Sequence, residues 1–368
     1  MFDRKTFVEI NIKNYIHNIE LIKEKVKTSV IPVLKADAYG HGAVKLSKVV
    51  YDMGIKLIAV AFLGEGIKIK KSGIDIETLV FNYVSPEYIK ENIEGYIYTI
   101  GSLKQLKELI DYFGKEIKNI KFHININTGM NRMGISEEEM EDIITLIKEY
   151  NINIHGIYSH FATADNLDDF VKEQYDKFVN IVSHIENSNI DIPIKHICNS
   201  AGALFFPEYA LDYVRPGIAT YGLQPSDIKK EKKLKPVLQW KSVVARVGIL
   251  KKNESVSYGR TYFSKQNIPI ATIPVGYADG YFRQLSNKGY VLIQGKKCNI
   301  IGRVCMDQFV VETTQIEKVK LGEEVVLIGE QEKSFLYAED LARLAGTINY
   351  DITSKITKRV PRIYIEEE

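Results

Sequence analysis

Apolar and polar positions follow two textures along the chain. Up to about residue 225, runs of β-branched and aromatic residues recur between stretches with helical spacing. A short strand at Thr6–Ile10 precedes a helix predicted over Ile12–Val26, with Ile12, Ile16, Ile19 and Ile22 on one face. Strand candidates follow at Val30–Leu34, Leu57–Phe62, Thr78–Tyr83, Tyr96–Ile100, Ile120–Ile126, Ile154–Ser159, Ile194–Ile197 and Tyr213–Arg215. Helical spacing marks Ala43–Val50, Ser102–Phe113, Ser136–Tyr150 and Asp168–Ile185 between them. Strict strand–helix alternation repeated eight times is the pattern of a parallel (β/α)8, TIM-like barrel. An open doubly wound sheet also alternates, but Gly40-His41-Gly42 after the first of these strands is not G-x-G-x-x-G.

The alternation stops near residue 225. The charged segment Lys229–Pro236 reads as a solvated linker rather than a nucleic-acid patch. Beyond it come short strands with turn signals, at Val243–Val247, Ala271–Val275, Tyr290–Ile293, Phe309–Val311 and Glu324–Ile328, and one helix at Tyr337–Ala345. The fold class is therefore α/β, a barrel followed by a mainly β C-terminal domain. The expected division is an N-terminal strand, 1–10, packing with the β domain; a barrel, 11–228; a linker, 229–238; and the β domain, 239–368.

Composition narrows the function classes. With 368 residues, 45% hydrophobic and 26% charged, the chain can bury a large core without staples. A net charge of +2 gives no overall field for nucleic acid or an anionic membrane, and no apolar run is long enough to span one. The start, Met1–Ile10, is not a secretory signal. Three cysteines, Cys198, Cys298 and Cys305, without a C-x-x-C pair suggest neither a disulfide framework nor a zinc site. No metal is expected, and a reducing, cytoplasmic setting is the simplest reading.

Barrel chemistry sits at the carboxyl ends of the strands, and the unusual polar residues fall there. Lys35 ends the first strand, within Val33-Leu34-Lys35-Ala36-Asp37-Ala38-Tyr39-Gly40-His41-Gly42. It is either a carboxylate's partner or an amine that loses its proton in a desolvated site and attacks a carbonyl. Asn127–Gly134, containing Arg132, follows the fifth strand, and His160–Asp165 the sixth. Asn199-Ser200-Ala201-Gly202 follows the seventh and Arg215-Pro216-Gly217-Ile218 the eighth, where small residues and a hydroxyl suit a phosphate. Singly, His160 could be a core histidine, Asn199-Ser200 a helix cap and Arg132 a surface ion pair. Together, a strand-end lysine and a phosphate cradle point to pyridoxal 5'-phosphate (PLP) held as a Schiff base.

The stretch Val33–Gly42 closely resembles the cofactor-lysine motif of the alanine racemase family. So do Thr128–Gly134, Ser159–Asp165, Asn199–Ala201 and Val214–Ile218. Further matches are Ser257-Tyr258-Gly259, Val275–Gly280, Gly302–Asp307, Asn349-Tyr350 and Arg359–Arg362, in order over essentially the whole chain. The resemblance implies interconversion of L-alanine and D-alanine by two bases on opposite faces of a planar adduct, with Lys35 serving the D-isomer and Tyr258 the L-isomer. It implies a homodimer with shared sites, in which Tyr258 reaches the cofactor from a second subunit, and D-alanine supply for bacterial peptidoglycan. A free tyrosine titrates near about 10, and each pKa unit of help is worth about 1.4 kcal/mol. His160 and Arg215 are the residues the family would use to support it.

By the same resemblance Arg215 faces the pyridine nitrogen, and Arg132 the phenolic oxygen and the substrate carboxylate. The phosphate falls to Tyr39, Ser200, Gly217, Ile218 and Tyr350, with Asn199 beside them. Met306, through its backbone, and Asp307 approach the carboxylate from the partner, and Tyr277 guards the entrance. One departure stands out. Where many members carry a carbamylated lysine that bridges to the arginine, this chain has Asn125. A neutral amide cannot hold Arg132 by charge, which leaves a bound anion or other hydrogen bonds. The rival readings are a racemase of another amino acid such as serine, a non-catalytic PLP-binding barrel without the β domain, and a related barrel decarboxylase.

Overall fold

The computed structural model describes residues 4–366. The outer ends of the expected segments 1–10 and 239–368, residues 1–3 and 367–368, lie outside the described residues. The first strand is β1 (Phe7–Asn11), and the helix after it spans Ile12–Val26, capped by the Asn11 side chain accepting from Asn14 N. The eight barrel strands are β2 (Ser29–Val30), β3 (Leu57–Val60), β4 (Glu77–Val80), β5 (Tyr96–Ile100), β6 (Lys121–Asn125), β7 (Asn153–Tyr158), β8 (Lys195–His196) and β9 (Tyr213–Val214). All neighbours pair in parallel, β3 to β8 in sequence order and β2 with β9. A bridge from Val33 to Ala59 joins β2 to β3, and Arg215 N donates to Cys198 O (2.9 Å) between β9 and β8, which closes the barrel. The parallel strands are buried on both faces, as β3 and β5 are throughout, which is why they read as unbroken apolar runs.

Two expected strands differ. Of Val30–Leu34, only Val30 lies in a ladder (Ser29–Val30) and Val33 in the lone bridge to Ala59, because the chain must leave the sheet to form the turn that carries Lys35. Val243–Val247 is not one strand. The strand β10 (Leu238–Val243) ends there and β11 (Arg246–Leu250) begins, as the chain turns from pairing with one neighbour to pairing with another.

The remaining strands are β12 (Ser255–Val256), β13 (Tyr262–Phe263), β14 (Ile268–Ile273), β15 (Tyr290–Ile293), β16 (Lys296–Ile301), β17 (Phe309–Glu312), β18 (Glu324–Gln331), β19 (Ser334–Leu336) and β20 (Arg362–Ile365). Except for the β12–β13 hairpin they form one sheet in the order β11-β14-β17-β16-β15-β18-β10-β1-β20, with β19 beside β18. Strand β1 runs antiparallel to β10 and parallel to β20, so both ends of the chain are built into the β domain. The segment between the barrel and β10 is docked rather than loose. Asn18 bonds Lys235 at both its N and O, Lys25 pairs with Glu231 (2.7 Å), and β10 starts at Leu238, inside the 229–238 expected as linker. One buried cluster runs through barrel and β domain alike. No helix among the described residues is long and apolar enough to cross a membrane.

The fully buried Asp279 ties the N-terminus to this domain. It pairs with Nη1 and Nη2 of Arg4, accepts from Gly276 N (3.0 Å) and lies 3.6 Å from Arg359. Removing it takes the carboxylate from Arg4 and leaves the buried Gly276 N–H without its acceptor. Asp279→Ala is expected to lower the unfolding free energy by about 2–4 kcal/mol, read from urea unfolding. A midpoint equal to the parent's would contradict this.

Candidate active site

The cavity at the carboxyl ends of the barrel strands has a volume of about 510 Å³. It brings together Lys35, Tyr39, Arg132, His160, Asn199, Ser200, Arg215, Gly217, Ile218 and Tyr350, all singled out in the sequence. Asn125 and Asp165 line it too.

Lys35 opens an unusual turn. Ala36, Asp37, Ala38 and Tyr39 all have φ between 52° and 56°, one turn of left-handed helix made without glycine. Such residues cost roughly 1–2 kcal/mol each, so neighbours must hold them. Glu65 does much of this, accepting from Ala36 N (2.6 Å), Ala61 N (2.9 Å) and Phe62 N (3.1 Å). His41 donates from Nδ1 to Ala38 O (3.0 Å) and Tyr39 O (3.1 Å), Asp37 accepts from Ala43 N and Lys68, and Arg362 donates to Gly40 O. The turn aims the Lys35 amine into the cavity, where among the described residues no carboxylate pairs with it. Burial, with the Arg132 charge added and Glu65 opposing, pulls Lys35 below the ordinary lysine range. An amine so placed has no carboxylate partner among the described residues and is disposed to act as a nucleophile.

Arg215 is buried and has no carboxylate among the described residues. Its Nη1 donates to His196 Nδ1 (2.6 Å) and His196 O (3.0 Å), and its Nη2 to Ser159 O (2.6 Å), Ile197 O (3.2 Å) and His160 Nδ1 (3.2 Å). Its charge also lies 5.0 Å over the Tyr158 ring. Burial brings it down to about 10, still a cation at neutral pH. Because a guanidinium can only donate, His160 Nδ1 is bare and the proton of this neutral ring is on Nε2. The 3.4 Å approach of Asn199 Nδ2 to that nitrogen is then a contact between two donors, since Asn199 Oδ1 is engaged by Gly202 N (3.0 Å). Asn199 therefore caps the Ser200–Phe205 helix and also borders the cavity.

Donors converge beside Ser200. Its Oγ accepts from Gly217 N (2.9 Å) and Ala219 N (3.3 Å), leaving its own proton to donate. The Tyr39 hydroxyl lies against Gly217, where a Cβ would come within 2.3 Å of it, so only glycine permits the approach. Burial pushes the Tyr39 and Tyr350 phenols upward, so both are neutral donors. This donor set fits a phosphate, the cationic Arg215 fits an unprotonated pyridine nitrogen, and the free amine of Lys35 fits an aldehyde. Arg132 is exposed and, like the Asn125 side chain, has no hydrogen-bond partner among the described residues.

Tyr258, Met306, Asp307 and Tyr277 are not brought to this cavity. Tyr258, Met306 and Asp307 border a second, open concavity on the β domain. Tyr258 is 73% exposed and Met306 52%. Tyr277 is also exposed, held beside that loop by Tyr277 N donating to Cys305 O (3.0 Å), and Asp307 pairs with Arg359 (2.9 Å). Sequence reasoning missed Glu65, the clamp of the left-handed turn, and His196, the acceptor beneath Arg215. A histidine inside the apolar run Ile194–Ile197 was the signal for the latter.

Residues 10–225 match the family described as alanine racemase, N-terminal domain, and residues 237–364 the one described as alanine racemase, C-terminal domain. The second match covers the β domain that a carrier barrel lacks. The chain is 40% identical over 370 residues to an alanine racemase of Carboxydothermus hydrogenoformans, covering 98% of this chain and 100% of that one. It is 40% identical over 375 residues to alanine racemase 2 of Caldanaerobacter subterraneus subsp. tengcongensis, covering 99% and 96%. Among solved structures, alanine racemase from Bacillus anthracis with bound L-Ala-P is 35% identical with a TM-score of 0.93, covering 100% of this chain and 96% of that one.

Buried histidines set the acid stability. Burial takes His41 down to about 4 and His123, His160 and His196 well below their ordinary 6.5, with the Arg215 charge adding to the last three. Below 6.5 the unfolded chain binds protons that the native chain refuses, so stability is whole above that pH and falls as pH drops toward the native values. Each group contributes a slope of at most about 1.4 kcal/mol per pH unit. Urea midpoints should fall steadily from about pH 7 to about pH 5. A flat profile would contradict the neutral assignment.

Proposed function

The chain belongs to the alanine racemase family, and from that premise we propose how its own residues divide the work. Its reaction is the interconversion of L-alanine and D-alanine, and the family depends on PLP. When bound, PLP supplies an electron sink that makes the substrate's α-proton removable. The observation that carries the assignment of residues is the one cavity in which Lys35 and Arg215 stand without an ion-paired carboxylate among the described residues, beside a set of neutral donors.

Lys35 holds the cofactor through its amine and is the base on one face. Ser200, Tyr39, Tyr350 and the backbone at Gly217 and Ile218 hold the phosphate. Arg215 would donate toward the ring nitrogen of the bound cofactor and, as a cation that can only donate, would keep that nitrogen unprotonated and so restrain side reactions such as transamination. Arg132 receives the substrate carboxylate and the phenolic oxygen.

The second base is Tyr258 from another copy of the chain, accompanied by Met306, Asp307 and the gate residue Tyr277. In support, the Tyr258 hydroxyl and Met306 N–H find no partner among the described residues of their own chain, and neither lines the Lys35 cavity. The working unit is then a homodimer with two shared sites, serving D-alanine supply for peptidoglycan. Lys35→Ala and Tyr258→Phe proteins should each be nearly inactive, yet their mixture should recover about a quarter of the parent activity, since half the dimers carry one intact site. No recovery, with subunit exchange demonstrated, would rule out shared sites.

An anion such as chloride between Asn125 and Arg132 takes the part of the carbamylated lysine of other members. Exchanging chloride for a bulky anion should weaken PLP or alanine binding several-fold. Unchanged affinity and rate would remove the anion from the scheme.

A further inference from the structure

Three imidazoles continue the Arg215 contact away from the cavity. Arg215 Nη1 meets His196 Nδ1 at 2.6 Å, His196 Nε2 meets His123 Nδ1 at 2.9 Å, and His123 Nε2 meets His155 Nδ1 at 3.1 Å. The three rings come from β8, β6 and β7, adjoining strands of the barrel sheet. The spacing is suited to direct hydrogen bonds at every step.

The direction of this row follows from one end. A guanidinium has no lone pair, so His196 Nδ1 must be bare. A neutral His196 then carries its proton on Nε2, which makes His123 Nδ1 an acceptor. The same step puts the His123 proton on Nε2 and makes His155 Nδ1 the last acceptor. Burial and the nearby Arg215 charge keep His196 and His123 neutral, so neither can hold a proton on both nitrogens. Reversing any ring would set N–H against N–H, or a proton against Arg215.

Packing holds the rings in register. His123 and His155 are stacked at 5.4 Å, and His196 lies on the Tyr158 ring at 5.1 Å, nearly parallel. The residue after His155 is Gly156, where a Cβ would fall 2.7 Å from His123 Nε2, so a side chain there would displace the ring.

We propose that His123 and His155 are positioning residues for racemisation, forming with His196 a one-way row of imidazoles that fixes the orientation and charge of Arg215. Each ring that donates outward becomes a better acceptor inward, so the row offers Arg215 a strengthened lone pair in place of a carboxylate. His123 and His196 are buried, whereas His155 is partly exposed beside the Lys121–Glu77 ion pair, which makes it the member most open to substitution.

The inference rests on Arg215 meeting the cofactor ring, and the test separates the two. Neutron diffraction from deuterated, PLP-loaded enzyme should show deuterons on Nε2 of His123 and His196 and none on their Nδ1. In parallel, His155→Leu removes the terminal acceptor, while His155→Asn keeps an amide oxygen near the place of Nδ1. The leucine variant should lose about three- to ten-fold in kcat with KM within about two-fold, and shift the cofactor's absorption, whereas the asparagine variant should stay within about two-fold of the parent. A deuteron on Nδ1 of either inner ring, or equal behaviour of the two variants, would overturn the row. Deuterons as expected, with Arg215 standing away from the cofactor ring in the same map, would overturn the inference through its premise instead.

Discussion

A guanidinium buried without a carboxylate is the constraint on which this structure turns. Arg215 can be accommodated only where several acceptors converge, because an unpaired buried cation is among the costliest groups a protein can hold. Its acceptors come from Ser159, His160, His196 and Ile197, residues at the ends of two different strands. Its own backbone N–H supplies a bond that closes the barrel against Cys198. Barrel closure and the electrostatics of the cavity floor are therefore one requirement. Carbonyl dipoles and imidazole lone pairs hold the charge in place without neutralising it, so it stays available to a ligand.

The second constraint sits across the cavity at Lys35. A turn of left-handed helix built from Ala36, Asp37, Ala38 and Tyr39 is unfavourable in isolation, and it exists because Glu65, His41, Asp37 and Arg362 each satisfy part of it. Arg362 begins β20, the strand paired with β1, so the β domain reaches over to hold the lysine's own loop. The amine is thereby fixed by parts of the chain more than three hundred residues apart. Strain at such a position persists where surrounding contacts over-determine it.

The buried Arg215 and the exposed Arg132 give the cavity a positive lining suited to a phosphate and a carboxylate together. The β domain presents a complementary group, a phenol and a backbone N–H, on an exposed surface. Of the cations, Arg215 lies where carbonyls and imidazoles receive it, whereas the Tyr258 phenol lies exposed on the β domain. In the proposed division of roles, Lys35 would act from the barrel and Tyr258 from the β domain of another copy.

Much of this was legible in the sequence. The eight strand positions, the helix at Ile12–Val26, the change of texture near residue 225 and the polar loops after successive strands follow from periodicity, since burial on a strand or helix repeats along the chain. The residues of the cavity were named because barrel loops share one rim, and the resemblance supplied their roles. What the sequence could not state depends on distance in space. The left-handed turn has no glycine within it to announce it, and Glu65 is thirty residues from the lysine whose loop it clamps. The break at Val244-Ala245 arises from which neighbour each half pairs with, and His123, His155 and His196 form a row only because β6, β7 and β8 adjoin. Local order along the chain is written in side-chain spacing, whereas the direction of a proton on an imidazole is decided by the charge that the folded barrel sets beside it.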